Sequence, residues 1–273
     1  MRTRKIKDLT KEILNKDEID KVRNAFDVLG DIAIFSSFPE ELKKKEKLIG
    51  NKILDNLKHV KVVMKKVKNY SGKYRLPKFK IIAGEKRKET IHKENGVRII
   101  VNPEKCYFSS RLSGERLRIS KLVKPNETIL VMFSGVGVYP IVLSKNSKAK
   151  EIYGIEINPS CHKYGLENLK LNKVSNVKLY LGDVFKVIKT LKLKFDRILM
   201  PLPKGAEDFL ELIKGILKKN GIVHFYDFSL EEDIPESSVK KIKKIFSKAE
   251  ILNVIKCGNY APRKYRVCVD FKI

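Results

Sequence analysis

Apolar and polar positions along the 273-residue chain follow two textures, with the change near Tyr107. Residues 5–28 repeat with a helical period and are densely charged, and Asp31-Ile-Ala-Ile-Phe35 then reads as a short strand stopped before Pro39. A helix is predicted over residues 40–57. Residues 60–64, 79–82 and 97–101 are β-like, separated by polar, basic turns such as Asn69-Tyr-Ser-Gly-Lys-Tyr-Arg75. These elements predict a small α+β domain over residues 1–105. Beyond it, strands at 128–133, 151–157, 177–181, 197–200 and 222–228 alternate with amphipathic helices such as 161–172 and 206–219. That alternation implies βαβ units and a doubly wound parallel sheet, an α/β domain over residues 106–273. After a helix at 238–248, residues 251–256 and 265–271 form two more strands, an antiparallel pair joined by a Gly-Asn-Tyr-Ala-Pro-Arg loop.

A hydrophobic content of 42% is enough to build both cores. No apolar run reaches the roughly 18 to 20 residues of a membrane span. The opening Met-Arg-Thr-Arg-Lys-Ile-Lys-Asp leads into a charged helix rather than an apolar signal segment, so the chain is expected in the cytoplasm. Cys106, Cys161, Cys257 and Cys268 are scattered and read as reduced, mostly buried residues, and His59, His92, His162 and His224 form no ligand cluster in the sequence. No metal is expected.

The formal net charge of +27 changes the picture. Lysine enrichment alone can reflect genome composition or surface ion-pair networks, but in the second case the acids keep pace. Here they do not: residues 43–88 hold 17 Lys or Arg against Glu46, Asp55 and Glu85. A polyanionic partner follows, and the absence of Trp and of a basic amphipathic helix with an aromatic face favours nucleic acid over a membrane surface.

Candidate chemistry starts at Thr128-Ile-Leu-Val-Met-Phe-Ser-Gly-Val-Gly-Val-Tyr-Pro140. An apolar strand ends in a Gly135-x-Gly137 turn, a helix follows, and the next strand closes on Glu156, roughly 20 residues on, where a carboxylate can accept hydrogen bonds from ribose hydroxyls. A dinucleotide fingerprint would place a third glycine at Pro140, so the pattern departs from a pyrophosphate site. Gly182-Asp183-Val184 ends the third strand and Met200-Pro-Leu-Pro203 the fourth, so four strand ends aim at one crevice. Each acid alone reads as a helix cap or solvated residue; jointly they fit S-adenosylmethionine, which has an adenosine and no pyrophosphate.

Longer stretches carry a family resemblance. They are Gly30-Asp31-Ile-Ala-Ile, Ile81-Ile-Ala-Gly-Glu-Lys-Arg-Lys-Glu-Thr-Ile-His92-Lys-Glu-Asn-Gly, Tyr107-Phe-Ser-Ser-Arg-Leu-Ser-Gly-Glu115-Arg116, the glycine turn, Pro201-Leu-Pro203-Lys and Tyr260-Ala-Pro-Arg263. From about Asp27 to the C-terminus the chain resembles the archaeal and eukaryotic tRNA (guanine-37-N1)-methyltransferases, especially the archaeal subtype that also acts in wyosine biosynthesis. The resemblance implies a class I, Rossmann-like methyltransferase sheet with a smaller N-terminal RNA-binding domain. It puts the proton acceptor on Glu115, Arg116 beside the cofactor, the arginine that orients the base on Arg75 and the pocket aromatic on Tyr107. Phe133, Glu156, Ile157, Asp183 and Val184 fall on positions lining S-adenosylmethionine, with Ser109 nearby and Pro201 and Pro203 at the target pocket. The chemistry asks for such groups: guanine N1 keeps its proton at neutral pH, so methylation needs a base and a stabiliser for charge on the carbonyl oxygen. By local pattern alone, Ser113-Gly-Glu-Arg is a helix start that leaves Glu115 and Arg116 exposed.

Two departures from the family refine the expectation. Pro201 stands where strict guanine-N1 members have Asn, and the Pro-Leu-Pro form resembles members that also methylate carbon 7 of 4-demethylwyosine to give isowyosine. Relatives also carry a further small N-terminal domain that reads the tRNA corner, and this chain begins about where that domain would end. The implied partner is tRNA at its anticodon stem-loop, with tRNA-Phe the substrate of the wyosine reaction and a monomer expected. A carbon-7-only methyltransferase, an aminocarboxypropyl transferase, a noncatalytic RNA-binding relative and a dehydrogenase are the alternatives.

Overall fold

Seven strands of the C-terminal part hydrogen-bond into one sheet, and four strands of the N-terminal part into another. A computed structural model describes residues 6–21, 26–74, 76–202 and 204–273, the side chains of Ile6, Lys7 and Tyr70 excepted. The chain divides into two compact units, one running to Lys93 and taking in Arg98–Ser110, the other made of Glu94–Val97 and Arg111–Ile273.

In the first unit the charged N-terminal segment is not one helix. Helices α1 (Ile6–Thr10) and α2 (Lys16–Lys21) are separate because Asn15 starts the second afresh. Its side chain accepts the Glu18 N–H at 2.9 Å and its own N–H donates to the Glu18 carboxylate at 2.9 Å, a reciprocal capping box. Strands β1 (Asp27–Leu29), β2 (Ile32–Phe35), β3 (Val62–Ser71) and β4 (Leu76–Gly84) follow in that spatial order, with β2 and β3 parallel and the outer pairs antiparallel. The predicted helix at 40–57 begins as a tighter 3-10 segment, Glu40–Lys45, before α3 (Glu46–Asn56). Ile49 and Ile53 of α3 are fully buried in a cluster with Ala33, Val63, Ile82 and Ala83. The approach is close at Gly50, where a Cβ would lie 2.7 Å from that of Ala83.

The β-like stretches at 60–64 and 79–82 are parts of longer strands, and Asn69 and Ser71 belong to β3 rather than to a turn. Lysines hid this: Lys78 and Lys80 of β4 face solvent while Pro77 and Phe79 turn inward. Strand β5 (Thr90–Glu94), which no apolar run announced, pairs with β6 (Val97–Val101). The turn between them, Asn95-Gly96, has φ of 45° and 75°, the left-handed pair of a tight hairpin.

Beyond its Glu94–Val97 segment the second unit runs through α4 (Ser113–Leu122), β7 (Thr128–Met132), α5 (Val138–Asn146), β8 (Glu151–Glu156), α6 (Pro159–Asn172), β9 (Val177–Leu181), α7 (Val184–Leu191) and β10 (Phe195–Met200). Then come α8 (Leu210–Ile213), β11 (Leu217–Leu230), α9 (Glu236–Ile245), β12 (Glu250–Ala261) and β13 (Lys264–Lys272). The spatial order is β12-β13-β11-β10-β7-β8-β9, with β13 antiparallel to β11 and to β12 and the other neighbours parallel. Ile129 and Val131 bury into one face of the sheet, Leu130 and Met132 into the other, which is why β7 reads as a continuous apolar run. The predicted helix at 206–219 is a correction. It is a 3-10 segment (Ala206–Phe209) and α8, and Leu217 already pairs with Phe195 as β11 begins. Strand order reverses between β7 and β10, the switch point beyond which open α/β sheets place their ligands.

Candidate active site

At the end of β7 the backbone turns left-handed three times in five residues: Phe133 at φ 59°, Gly135 at 57° and Gly137 at 78°. Phe133 has no glycine's freedom, and holding it there costs about 1–3 kcal/mol. Gly137 caps α5 and lies against α6, where an added Cβ would sit 3.4 Å from the Cα of Gly165. Gly135 has open space around it, so the turn leaves room for a ligand on that side. Pro140 falls in the first turn of α5, where its missing N–H removes no helical hydrogen bond.

Glu156, at the tip of β8, accepts the Gly135 N–H at 2.7 Å with one oxygen and the Asn158 N–H at 2.7 Å with the other. Burial raises its pKa above the ordinary carboxylate value, and these backbone donors only partly offset that. Asp183 caps α7 by accepting the Phe185 N–H at 2.8 Å. Beside these acids Ile157 and Phe185 remain 37% and 42% exposed, while Val184 is buried at 5%. Phe185 stacks on Phe209 at 4.7 Å between centroids, and Phe209 meets Phe133 edge-on at 4.8 Å. A left-handed turn with open space, two carboxylates and exposed apolar side chains at neighbouring strand ends fit an adenosine-bearing cofactor.

Glu115 is buried, which overturns the exposed-helix reading. Arg118, three residues on along α4, donates Nε to Oε2 at 2.7 Å and Nη2 to Oε1 at 2.8 Å. The Tyr226 hydroxyl of β11 donates to Oε1 at 2.8 Å and lies 2.9 Å from that of Tyr139 in α5. Burial, with Glu115 nearby, pushes both phenols up, so they stay neutral donors. Arg116 is also buried, paired through Nε and Nη2 with Glu94, with its guanidinium 5.8 Å from the Tyr139 ring centre.

Tyr107 is 45% exposed and Ser109 half-buried, both in the loop that counts with the first unit. Pro201 is half-buried after β10, in a tight turn closed by Leu202 N–H to Met200 carbonyl at 2.7 Å. Arg75 and Pro203 lie outside the described residues. Sequence reasoning missed Arg118, Tyr226, Tyr139, Glu94 and Phe185; only Arg118, at helical spacing from Glu115, had a local signal. It also missed that the sheet sets His224 opposite Asp270, with Cys268 two residues along, so that the ligand atoms of all three lie within 4.8 Å of one another. Arg118 and Arg197 donate into this trio. Burial with the Glu115 charge raises the Cys268 thiol, and burial pushes Cys257 up to about 12, so both stay protonated.

Residues 90–255 match the TRM5/TYW2 methyltransferase domain and residues 6–87 the TYW2 N-terminal domain. Trm5b of Pyrococcus abyssi, a tRNA (guanine(37)-N(1))-methyltransferase, is 41% identical over 91% of this chain and 74% of that protein. Its crystal structure superposes with a TM-score of 0.87, at 38% identity over 100% of this chain and 81% of that one. The tRNA 4-demethylwyosine(37)-methyltransferase Taw21 of Saccharolobus solfataricus is 34% identical over 98% of this chain and 99% of its own length. Taw22 of Nanoarchaeum equitans, named for both the guanine and the 4-demethylwyosine reactions, is 35% identical over 90% of this chain and 98% of that protein. Among solved structures, aTrm5 in complex with tRNALeu reaches a TM-score of 0.84 at 31% identity, over 100% of this chain and 79% of that one. TYW2 of Methanocaldococcus jannaschii in complex with AdoMet reaches 0.68 at 28%, over 91% and 98%. With one family domain matching more than half of its residues, the chain belongs to the TRM5/TYW2 methyltransferases.

Proposed function

We propose that this chain methylates position 37 of tRNA with S-adenosylmethionine as donor, at guanine N1 and also at carbon 7 of 4-demethylwyosine, giving isowyosine. The observation that carries the reading is Glu115, a carboxylate buried at 6% exposure and fixed at both oxygens. When bound, the cofactor supplies an electrophilic sulfonium methyl. Gly135, Gly137, Glu156, Asp183, Ile157, Val184 and Phe133 are assigned to holding it, with Ser109 and Arg116 beside it. Glu115 is assigned the proton of guanine N1, which frees that nitrogen's electron pair, and Arg75 the charge on the carbonyl oxygen. Tyr107, Pro201 and Pro203 are assigned to the target base. Residues 1–105 are assigned to the tRNA and 106–273 to methyl transfer.

Double activity is supported by Pro201-Leu-Pro203 and by the likeness to Taw22. The likeness to Taw21 supports a carbon-7-only reading. Incubation with one tRNA carrying guanosine at position 37 and one carrying the tricyclic precursor, followed by mass spectrometry, decides: a methyl on both supports two activities, and on one alone contradicts them. An added aminocarboxypropyl mass would assign the chain to the related transferases. We further propose a cytoplasmic monomer that takes tRNA-Phe for the wyosine reaction and needs no metal. In support of the last point, the trio His224, Cys268 and Asp270 already sits against two guanidinium groups, which would repel a cation. No helix among the described residues is long and apolar enough to cross a membrane.

A further inference from the structure

Behind Glu115 the half-buried Arg118 opens a continuous chain of otherwise buried polar groups that the methyl-transfer reading leaves without a task. Arg118 divides its planar fork between two carboxylates, with Nε and Nη2 on Glu115 at 2.7 and 2.8 Å and Nη1 and Nη2 on Asp270 at 2.6 and 3.2 Å. Asp270 lies 2.6 Å from His224 Nδ1, and the other ring nitrogen of His224 lies 2.7 Å from Arg197 Nη1. Arg197 in turn donates to Glu127 at 2.7 and 2.9 Å and to the Leu122 carbonyl at 2.8 Å.

A guanidinium can only donate, so His224 Nε2 must accept. The ring is therefore neutral, with its proton on Nδ1 and given to Asp270, and burial independently lowers its pKa. Burial works against the Asp270 carboxylate, but hydrogen bonds from His224 and Arg118 outweigh it and hold the carboxyl well below its ordinary range. The guanidinium plane sets the plane of the Glu115 carboxylate, and Tyr226 fixes the rotation of Oε1. Asp270 keeps Arg118 from turning away.

We propose that Arg118 is a positioning residue for methyl transfer, holding the Glu115 carboxylate in its working orientation, and that Asp270, itself held by neutral His224, holds Arg118. This rests on the reading of Glu115 as proton acceptor. A general base has to lie within hydrogen-bond reach of its proton, and a misplacement of about 1 Å can cost about 100-fold in rate.

The test is single-turnover methylation by the full chain on tRNA carrying guanosine 37, with the dissociation constants of S-adenosylmethionine and tRNA measured in parallel. Arg118→Met is expected to slow the step about 100-fold while both constants move less than about threefold. Guanidinium at a low, non-denaturing concentration should restore about tenfold of that loss where equal sodium chloride does not, because it refills the site between Glu115 and Asp270. Asp270→Asn should be slowed and not rescued, since its Arg118 is still present. Tyr226→Phe keeps the ring, removes the hydroxyl from both Glu115 and Tyr139, and should lose about tenfold through the missing bond to the charged acceptor; it keeps the test alive if Arg118→Met does not fold. A wild-type rate in Arg118→Met or in Asp270→Asn, or equal rescue by sodium chloride, overturns the proposal, and if Arg118→Met does not fold, wild-type rates in Asp270→Asn and Tyr226→Phe overturn it. Glu115→Gln separates the two ideas: if it stays active, the proton-acceptor reading fails, and if it is inactive while the other variants are not, positioning alone fails.

Discussion

Arg116 and Glu94 form a two-point ion pair in which both side chains are only 2% exposed, tying the first turn of α4 to the end of β5. Its geometry pairs both charges at two points, and removing the Glu94 carboxylate would strip a buried guanidinium of both of these hydrogen bonds. Glu94→Ala should therefore lower unfolding free energy by about 3–5 kcal/mol, read as a lower denaturant midpoint at unchanged slope. A change under about 1 kcal/mol would mean that water reaches Arg116 and that the pair is not structural.

Stability should fall as pH drops below neutral. His224 is held below its ordinary value of 6.5, so the unfolded chain takes up a proton there that the folded chain refuses. Its contribution is complete above 6.5 and is lost as pH falls through the interval beneath. Asp270, lowered from 3.8, adds a second loss in the same direction below about pH 4. Between pH 7 and 5, His224→Gln should flatten the stability profile by up to about 1.4 kcal/mol per pH unit relative to the wild type. Parallel profiles would show that the imidazole titrates alike in both states.

Binding of tRNA should depend steeply on salt, though less than the 17 basic residues between 43 and 88 suggest. Among the described residues at least seven of them, Lys43, Lys45, Lys52, Lys65, Lys80, Arg87 and Lys88, are engaged in ion pairs with acids. Lys68, Lys73 and Lys78, on and between β3 and β4, are exposed. Replacing each with Ala should weaken binding and reduce the slope of log affinity against log salt by about 1 per residue. Slopes equal to the wild type would move the phosphate contacts elsewhere.

Glu156→Ala should weaken S-adenosylmethionine binding by about 10- to 100-fold, the worth of hydrogen bonds to a charged acceptor, with tRNA affinity unchanged. The raised pKa of Glu156 adds a sign: cofactor affinity of the wild type should fall as pH is lowered, because protonation removes acceptor capacity, and that dependence should vanish in the variant. Calorimetric titration at several pH values checks both. An unaltered dissociation constant would detach the carboxylate from the ribose.

Much of the second unit was legible because its signals are local. Alternating strands and helices, the Gly135-x-Gly137 turn and an acid about 20 residues later are spacings within one βαβ unit, and spacing is what a sequence states directly. The family resemblance rested on equally local strings such as Gly114-Glu115-Arg116. Where lysines covered the solvent face of β4, or where pairing with Phe195 drew Leu217 into β11, the local pattern misjudged the elements. Of the setting of Glu115 only Arg118, three residues on, had a local signal. By itself its neighbourhood reads as an exposed helix start; it is buried because Tyr226, 111 residues away, and Asp270, 152 residues from Arg118, arrive through the sheet order β13-β11-β10-β7. The sequence by itself determined the α/β alternation, the cofactor turn and the charge that seeks a polyanion. Only the tertiary structure decided which buried groups hold the carboxylate, since hydrogen-bond partners that far apart are chosen by strand pairing, which no local period encodes.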